Sequence, residues 1–348
     1  MTGTNIHSSK TLPTMVLLAL VGSFLGGVLG GCKRAPQAVL EAPAGFPEPV
    51  YYNELNPITE EGIALGRRLF YDPILSADST LSCASCHLQE SGFSDPGMAI
   101  SVGIDGRFGM RNSPALTNQW FFPYFMSDGG VLHLEVMPIT PMTDENEMGA
   151  TLHDVVAKLN RSPVYSVDFA QVFEGDSITS QQLLWALAQF QSAMISSNST
   201  WDQVQHGEAT FTAQQEQGWQ VFQARCASCH RPPLFTDFSF ANIGLDSVSE
   251  DYGRQRITML EEDRGKFKVP HLRNSALSHP YMHDGRFETL EDVLAFYGSD
   301  VHSETPNLDS RMGVASGISE VEQQQLLAFL QTLTDTAYLT DPSLSNPF

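Results

Sequence analysis

The sequence predicts a mainly α-helical fold built as two similar halves joined by long loops. Three observations predict it. Well-capped helical stretches recur along the 348 residues while strand signals are sparse. A short pattern occurs twice, as SCASCHLQE from Ser82 and as RCASCHRPP from Arg225. The stretches 88–150 and 231–290 are dense in Gly, Pro, Asn and Asp, which marks long loops wrapped around something other than a sheet.

The elements follow in chain order. Residues 1–31 hold no acidic residue, a single lysine (Lys10) and an apolar run from Met15 to Leu29 that is too short and too glycine-rich for a membrane span, so they read as an export signal. The run ends in Leu29-Gly30-Gly31-Cys32, which resembles the cleavage box of bacterial lipoproteins and makes Cys32 the expected acylated residue. Residues 32–50, rich in Ala and Pro, read as a tether. Thr59 can cap a helix over EEGIALGRRLFYD, and further helices are expected near 152–160 and 180–195. Thr212 with Gln215 forms a capping box before QQEQGWQVFQ, and Ser319 with Glu322 opens a last helix near 319–333. The two helices that precede the repeated pattern share a feature: a glycine and a phenylalanine four apart, Gly66 with Phe70 and Gly218 with Phe222. The polar stretch SSNSTWDQVQHGEA, near 200–210, divides the chain into expected domains over 51–204 and 205–340.

Composition bounds the partners. Hydrophobic side chains make up 42% and charged ones 17%, an ordinary globular balance with enough apolar residues for two cores. Forty acidic against 19 basic residues give a formal charge of −21, which disfavours nucleic acid or an anionic membrane surface and suits a basic macromolecule or a neutral small molecule. Plain solubility accounts for the same charge.

Apart from Cys32, every cysteine lies in a Cys-x-x-Cys-His triad: Cys83, Cys86 and His87, then Cys226, Cys229 and His230. That spacing is the attachment signature of c-type haem, in which two thiols add across the vinyl groups and the adjacent imidazole becomes the iron's proximal ligand. A zinc ribbon requires a second Cys-x-x-Cys at closer spacing, and a redox dithiol calls for a βαβ setting that the pattern lacks. The chain is therefore expected to carry two covalently bound haem c groups in two cytochrome c-like haem domains with long loops.

Four blocks carry a more specific resemblance: NPITEEGIALGRRLFYDPILS, SVGIDGRFGMRNSPALTN, PITPMTDENEMG and FKVPHLRNSALSHPYMHDGRFETLEDVLAFY. Together they make the sequence similar to the bacterial di-haem cytochrome c peroxidase and MauG family, from about residue 45 to 335. The resemblance implies that the N-terminal haem activates hydrogen peroxide and the C-terminal one stores or relays electrons. It assigns the acid/base role over peroxide to Glu147. Ile104 stands where classical members carry a capping histidine, which implies an N-terminal iron open to peroxide without prior reduction. Met137 replaces a distal glutamine, and Ser127 replaces a tryptophan between the haems, which leaves Trp120 or no residue for that route. On the C-terminal haem, Tyr297 occupies the place of the usual sixth ligand, as in MauG-type members, with His283 and Met282 as alternatives. The resemblance also implies a calcium ion on Asn112, Ser278 and Pro280. His133, His153, His206, His271, His279 and His302 are expected at the surface or in structural roles.

The expected function is reduction of hydrogen peroxide with electrons from a small, basic cytochrome or cupredoxin, in the periplasm and on a lipid anchor. Two alternatives are MauG-like oxidation of Tyr or Trp side chains on a partner protein, and a non-enzymatic di-haem electron carrier.

Overall fold

In the computed structural model, which describes residues 39–348, helix α1 runs Glu60–Tyr71 because its sequence supplies both ends. The Thr59 hydroxyl accepts from the Gly62 amide, Glu60 and Glu61 sit at the positive end of the helix dipole, and Arg68 sits at the negative end. The expected export signal, Cys32 and the start of the tether lie outside the described residues. Next come α2 (Leu152–Arg161), capped by Thr151, and α3 (Pro163–Val172), whose first residue is a proline that has no amide to satisfy. Reciprocal capping boxes open α4 (Ser180–Ala193), α5 (Thr200–Gln205) and α6 (Ala213–Arg225). Helix α7 (Leu290–Ala295) passes into a π turn over Phe296–Asp300, and α8 (Glu320–Gln331) starts at the Ser319–Glu322 box. The strands described are β1 (Phe240–Ala241) and β2 (Phe267–Lys268), paired antiparallel. The fold is mainly helical, with the long loops the sequence predicts.

The repeat extends well beyond the Cys-x-x-Cys-His triads. Helix α1 crosses α4 in the first half as α6 crosses α8 in the second. At each crossing the shared glycine is the point of closest approach: a Cβ on Gly66 would lie 2.0 Å from the Ala186 carbonyl oxygen, and one on Gly218 would lie 2.0 Å from that of Gln325. The partner phenylalanines then meet an aromatic ring across the crossing, Phe70 on Phe190 and Phe222 on Phe329, with ring centroids 5.3 and 4.9 Å apart. Left-handed asparagines repeat as well. Asn118 exchanges hydrogen bonds with the backbone of Ser196, and Asn274 accepts from the amide of Asp335, so each ties a loop to the chain beyond its closing helix.

Two cores result, one around Leu69, Phe93, Leu187 and Phe190, the other around Phe222, Phe235, Phe329 and Leu333. A third cluster, with Tyr51, Trp120, Phe121, Phe122, Phe125 and Met137 against Leu234, lies between them. Charge seals the same boundary. Arg111 reaches Asp128 at 2.7 Å and grips Asp251 with a two-pronged contact at 2.7 and 2.9 Å. The segment near 200–205, where the sequence places the division, forms the helix α5, and its Asp202 is buried against the wholly buried Arg273 at 2.7 Å. The C-terminal tail crosses back to the first half. Tyr338, Leu339 and Leu344 join the first core, and Gln89 donates to the carbonyls of Tyr338 and Asp341.

Alanine in place of a helical glycine ordinarily stabilises by up to about 1 kcal/mol. At Gly66 or Gly218 the collision with a backbone carbonyl reverses that sign, so Gly66→Ala and Gly218→Ala are each expected to lower stability by roughly 1–3 kcal/mol. Chemical denaturation checks this, and a gain in stability would refute the close-crossing geometry.

Candidate functional site

Each Cys-x-x-Cys-His triad is folded into one tight turn. In the second half α6 ends at Cys226, whose carbonyl accepts from the amides of Cys229 and His230 at 3.1 and 2.9 Å. In the first half a turn over Cys83–Ser85 closes with the Cys86 amide on the Cys83 carbonyl at 3.2 Å. No disulfide joins any of these thiols. Burial, aided by the neighbouring cysteine, pushes Cys83 and Cys226 up to about 12, and burial with Asp95 pushes Cys86 up to about 11. A redox dithiol requires the opposite shift.

The histidines are oriented by their backbone. His87 Nδ1 bonds the carbonyl of Phe93 at 2.8 Å, and His230 Nδ1 lies 3.1 Å from the carbonyls of both Phe235 and Pro270. Those bonds place the proton on Nδ1 and leave the Nε2 lone pair for a metal. Burial also drives the His87 pKa down to about 4 and lowers that of His230, so both imidazoles are neutral at physiological pH.

Beside His230 lies a cavity of about 360 Å³. Its wall holds Cys226, Cys229, His230 and Tyr297, together with Met282 and His283, the alternative ligands. Tyr297 is set by the π turn, an irregularity common at functional positions. Its hydroxyl pKa is raised by burial and then by the Cys226 and Cys229 thiols, and the ring packs in the same core cluster as Cys226. His283 instead stacks on Phe267 at 4.0 Å and is influenced by Asp284 and Asp251. The wall also carries buried polar atoms without a partner: Gln119 Oε1, His271 Nδ1 and Ser275 Oγ. Unsatisfied atoms around free thiols and a neutral imidazole fit a large cofactor with polar substituents. Haem c meets that description in this half, and the matching thiols and imidazole of the first half accept the same group.

Around the first triad, Glu147 is half-buried. Its pKa is raised by burial and by the charge of Asp144, and it is close enough to Cys86 to raise that thiol in turn. The Ile104 amide donates to the Glu147 carbonyl at 2.9 Å. The turn bearing Ile104 is thus seated on the turn bearing Glu147, and a Cβ on Gly149 would strike Ile104 Cδ1. Met137 lies in the boundary core. Ser127 lines the cavity beside His230, where its carbonyl accepts from the Lys268 amide at 2.8 Å. Trp120 donates its indole N–H to the Tyr51 carbonyl and lies off the cavity wall, which Phe122 lines instead. Asn112, Ser278 and Pro280 all line the cavity, and Asn112 Nδ2 donates to the carbonyls of Met98 and Ala99. The structure adds two residues to the expected set, Lys268 and His271. Both line the cavity, and His271 is the one expected at the surface or in a structural role.

A family model described as di-haem cytochrome c peroxidase matches residues 60–210. The methylamine utilization protein MauG of Methylorubrum extorquens is 36% identical over 358 aligned residues, covering 96% of this chain and 99% of that protein. The cytochrome c551 peroxidase of Nitrosomonas europaea is 30% identical, covering 80% of this chain and 82% of that protein. Among solved structures, a MauG-like protein associated with microbial copper homeostasis is similar with a TM-score of 0.80 at 32% identity, over 88% of this chain and 98% of that one.

Attachment through both triads predicts a stoichiometry. Changing Cys226 and Cys229 together to alanine halves the covalently held haem per chain, measured as the pyridine haemochrome after acid–acetone extraction. An unchanged ratio would contradict the assignment.

Proposed function

The chain belongs to the bacterial di-haem cytochrome c peroxidase and MauG family, and we propose that it reduces hydrogen peroxide at the half built on His87. Electrons come from a small redox protein through the half built on His230. The carrying observation is the pairing of Glu147 with Ile104: a half-buried carboxyl of raised pKa, hydrogen-bonded through its backbone to a residue that cannot ligate iron. Two electrons and two protons convert one peroxide into two waters. Haem, held by Cys83, Cys86 and His87 and by Cys226, Cys229 and His230, supplies the one-electron chemistry that no side chain here provides. Glu147 takes the proton from the inner peroxide oxygen and returns it to the outer one, the transfer that heterolysis requires. Its raised pKa makes the carboxylate a stronger base, and Asp144 reinforces this.

On the His230 side, Tyr297 is the proposed sixth ligand, supported by its place on the cavity wall with Cys226, Cys229 and His230. An oxygen ligand favours the oxidised metal and lowers its potential. Asn112 Oδ1 with the Ser278 and Pro280 carbonyls forms an all-oxygen set suited to calcium, since Nδ2 of Asn112 is already committed. The charge of −21 suits a basic donor protein. Export to the periplasm on a lipid at Cys32 completes the reading, and no helix among the described residues is long and apolar enough to cross a membrane. Tyr297 also favours a second reading, oxidation of aromatic side chains on a partner protein. Ser127, where the resemblance expects a tryptophan, weighs against it.

Steady-state consumption of peroxide with reduced cytochrome c separates the two. Rapid turnover that falls by about 10²- to 10⁴-fold in Glu147→Gln supports the first reading. Parent turnover is also expected to fall on the acid side, as Glu147 gains a proton, and Glu147→Gln is expected to lose that limb. Slow turnover with a persistent oxidised species supports the second reading. No reaction with peroxide contradicts both.

A further inference from the structure

The wall of the cavity beside His230 carries four charged side chains besides its histidines: Arg225, Asp246, Lys268 and Asp309. Three are in ion pairs: Arg225 with Glu322 at 3.1 Å, Asp246 with Arg286 at 2.8 Å, and Asp309 with Arg311 at 2.7 Å. Lys268 has no carboxylate within ion-pair distance among the described residues. Its ammonium donates to the Tyr124 carbonyl at 2.9 Å and lies 4.9 Å from the centre of the Phe122 ring. The nearest acid that influences it, Asp128, is bound to Arg111 at 2.7 Å. An ammonium has three donors, and a carbonyl takes one of them.

His271 stands beside it on the same wall. The two come from one segment, Phe267–His271, whose backbone is fixed on both sides: Lys268 N donates to Ser127 O, Val269 N to Ser239 O, and Val269 O accepts from Thr236 Oγ1. Pro270 of that segment also gives its carbonyl to His230. The His271 ring packs on Phe122 at 5.8 Å, so both side chains share one neighbour. Its Nδ1 is buried and has no partner. An unpaired ammonium and an orphaned imidazole nitrogen, side by side in a closed wall, carry a desolvation cost that an anion with two acceptor oxygens would offset.

We propose that Lys268 and His271 together form a carboxylate-binding site, and that its ligand is an acid side chain of the haem held by Cys226, Cys229 and His230. Haem c brings carboxylates, these residues line the cavity of that half, and the wall offers no other uncommitted cation. Lys268 supplies the charge. Burial and then the Lys268 charge push the His271 pKa down to about 4, so its ring is neutral and donates the Nδ1 proton to the carboxylate. The pair is a positioning device: it fixes the haem's acid group and keeps a positive charge near the metal, which favours the reduced state. This inference rests on the second half being a haem site.

Spectroelectrochemical titration of the holoprotein, reading the two haems separately, tests it with Lys268→Met, Lys268→Arg, His271→Leu and His271→Gln. Expected results are a lower potential for the His230-side haem in Lys268→Met and in His271→Leu, recovery of most of the shift in Lys268→Arg and His271→Gln, and no change at the His87-side haem. The double variant Lys268→Met with His271→Leu shifts the potential by less than the sum of the singles, since both hold one group. Unmoved potentials, a shift confined to the other haem, or strict additivity would overturn the proposal. If Lys268→Met does not incorporate haem, the His271 pair decides alone. A parent protein with haem on the first triad only would remove the premise, a result distinguishable from unmoved potentials on two haems.

Discussion

The hydrogen bond from a histidine Nδ1 to the carbonyl of a left-handed phenylalanine governs both halves. His87 makes it to Phe93 and His230 to Phe235, and the two phenylalanines adopt φ of 60° and 56°. A left-handed non-glycine residue costs roughly 1–2 kcal/mol. Phe93 and Phe235 are both wholly buried, and complete burial of such a ring is worth about 1.5–3 kcal/mol, so the two hydrophobic cores can hold the strain. The cores therefore do more than stabilise the fold. They turn a carbonyl onto an imidazole, fix its tautomer and leave one nitrogen free to ligate.

From that constraint the halves diverge in what surrounds the free nitrogen. The first places a carboxyl of raised pKa at Glu147 and an alkyl side chain at Ile104, an arrangement that handles protons. The second encloses a cavity of about 360 Å³ with a phenol, an unpaired ammonium and an orphaned imidazole, an arrangement that adjusts charge. One duplicated scaffold thus frames two different settings by changing the loops and leaving the crossings alone. The arginine ties of Arg111 and the returning tail at Tyr338 hold the two halves to each other.

Much of this was legible in the residues. Capping boxes at Thr212 and Ser319 mark helix starts through a local reciprocal bond, so they need no tertiary context. The paired glycine and phenylalanine of the two leading helices anticipate the duplicated crossing, because only glycine admits a carbonyl that close. The triads announce haem through spacing alone. What escaped depends on contacts distant in sequence. The stretch at 200–205 has the composition of a linker, yet Asp202 is buried because Arg273, far along the chain, neutralises it. The tail carries no pattern that foretells its docking on the first core. His271 reads as one more histidine until the fold places it on the cavity wall with Nδ1 unpartnered.

The central proposal is a division of labour between two haem sites, with Ile104 and Glu147 beside the first and Tyr297 as a ligand at the second. A low-temperature electron paramagnetic resonance spectrum of the resting ferric protein tests it most directly. The account predicts one high-spin and one low-spin signal, with the low-spin signal altered in Tyr297→Phe. Two low-spin haems would contradict it.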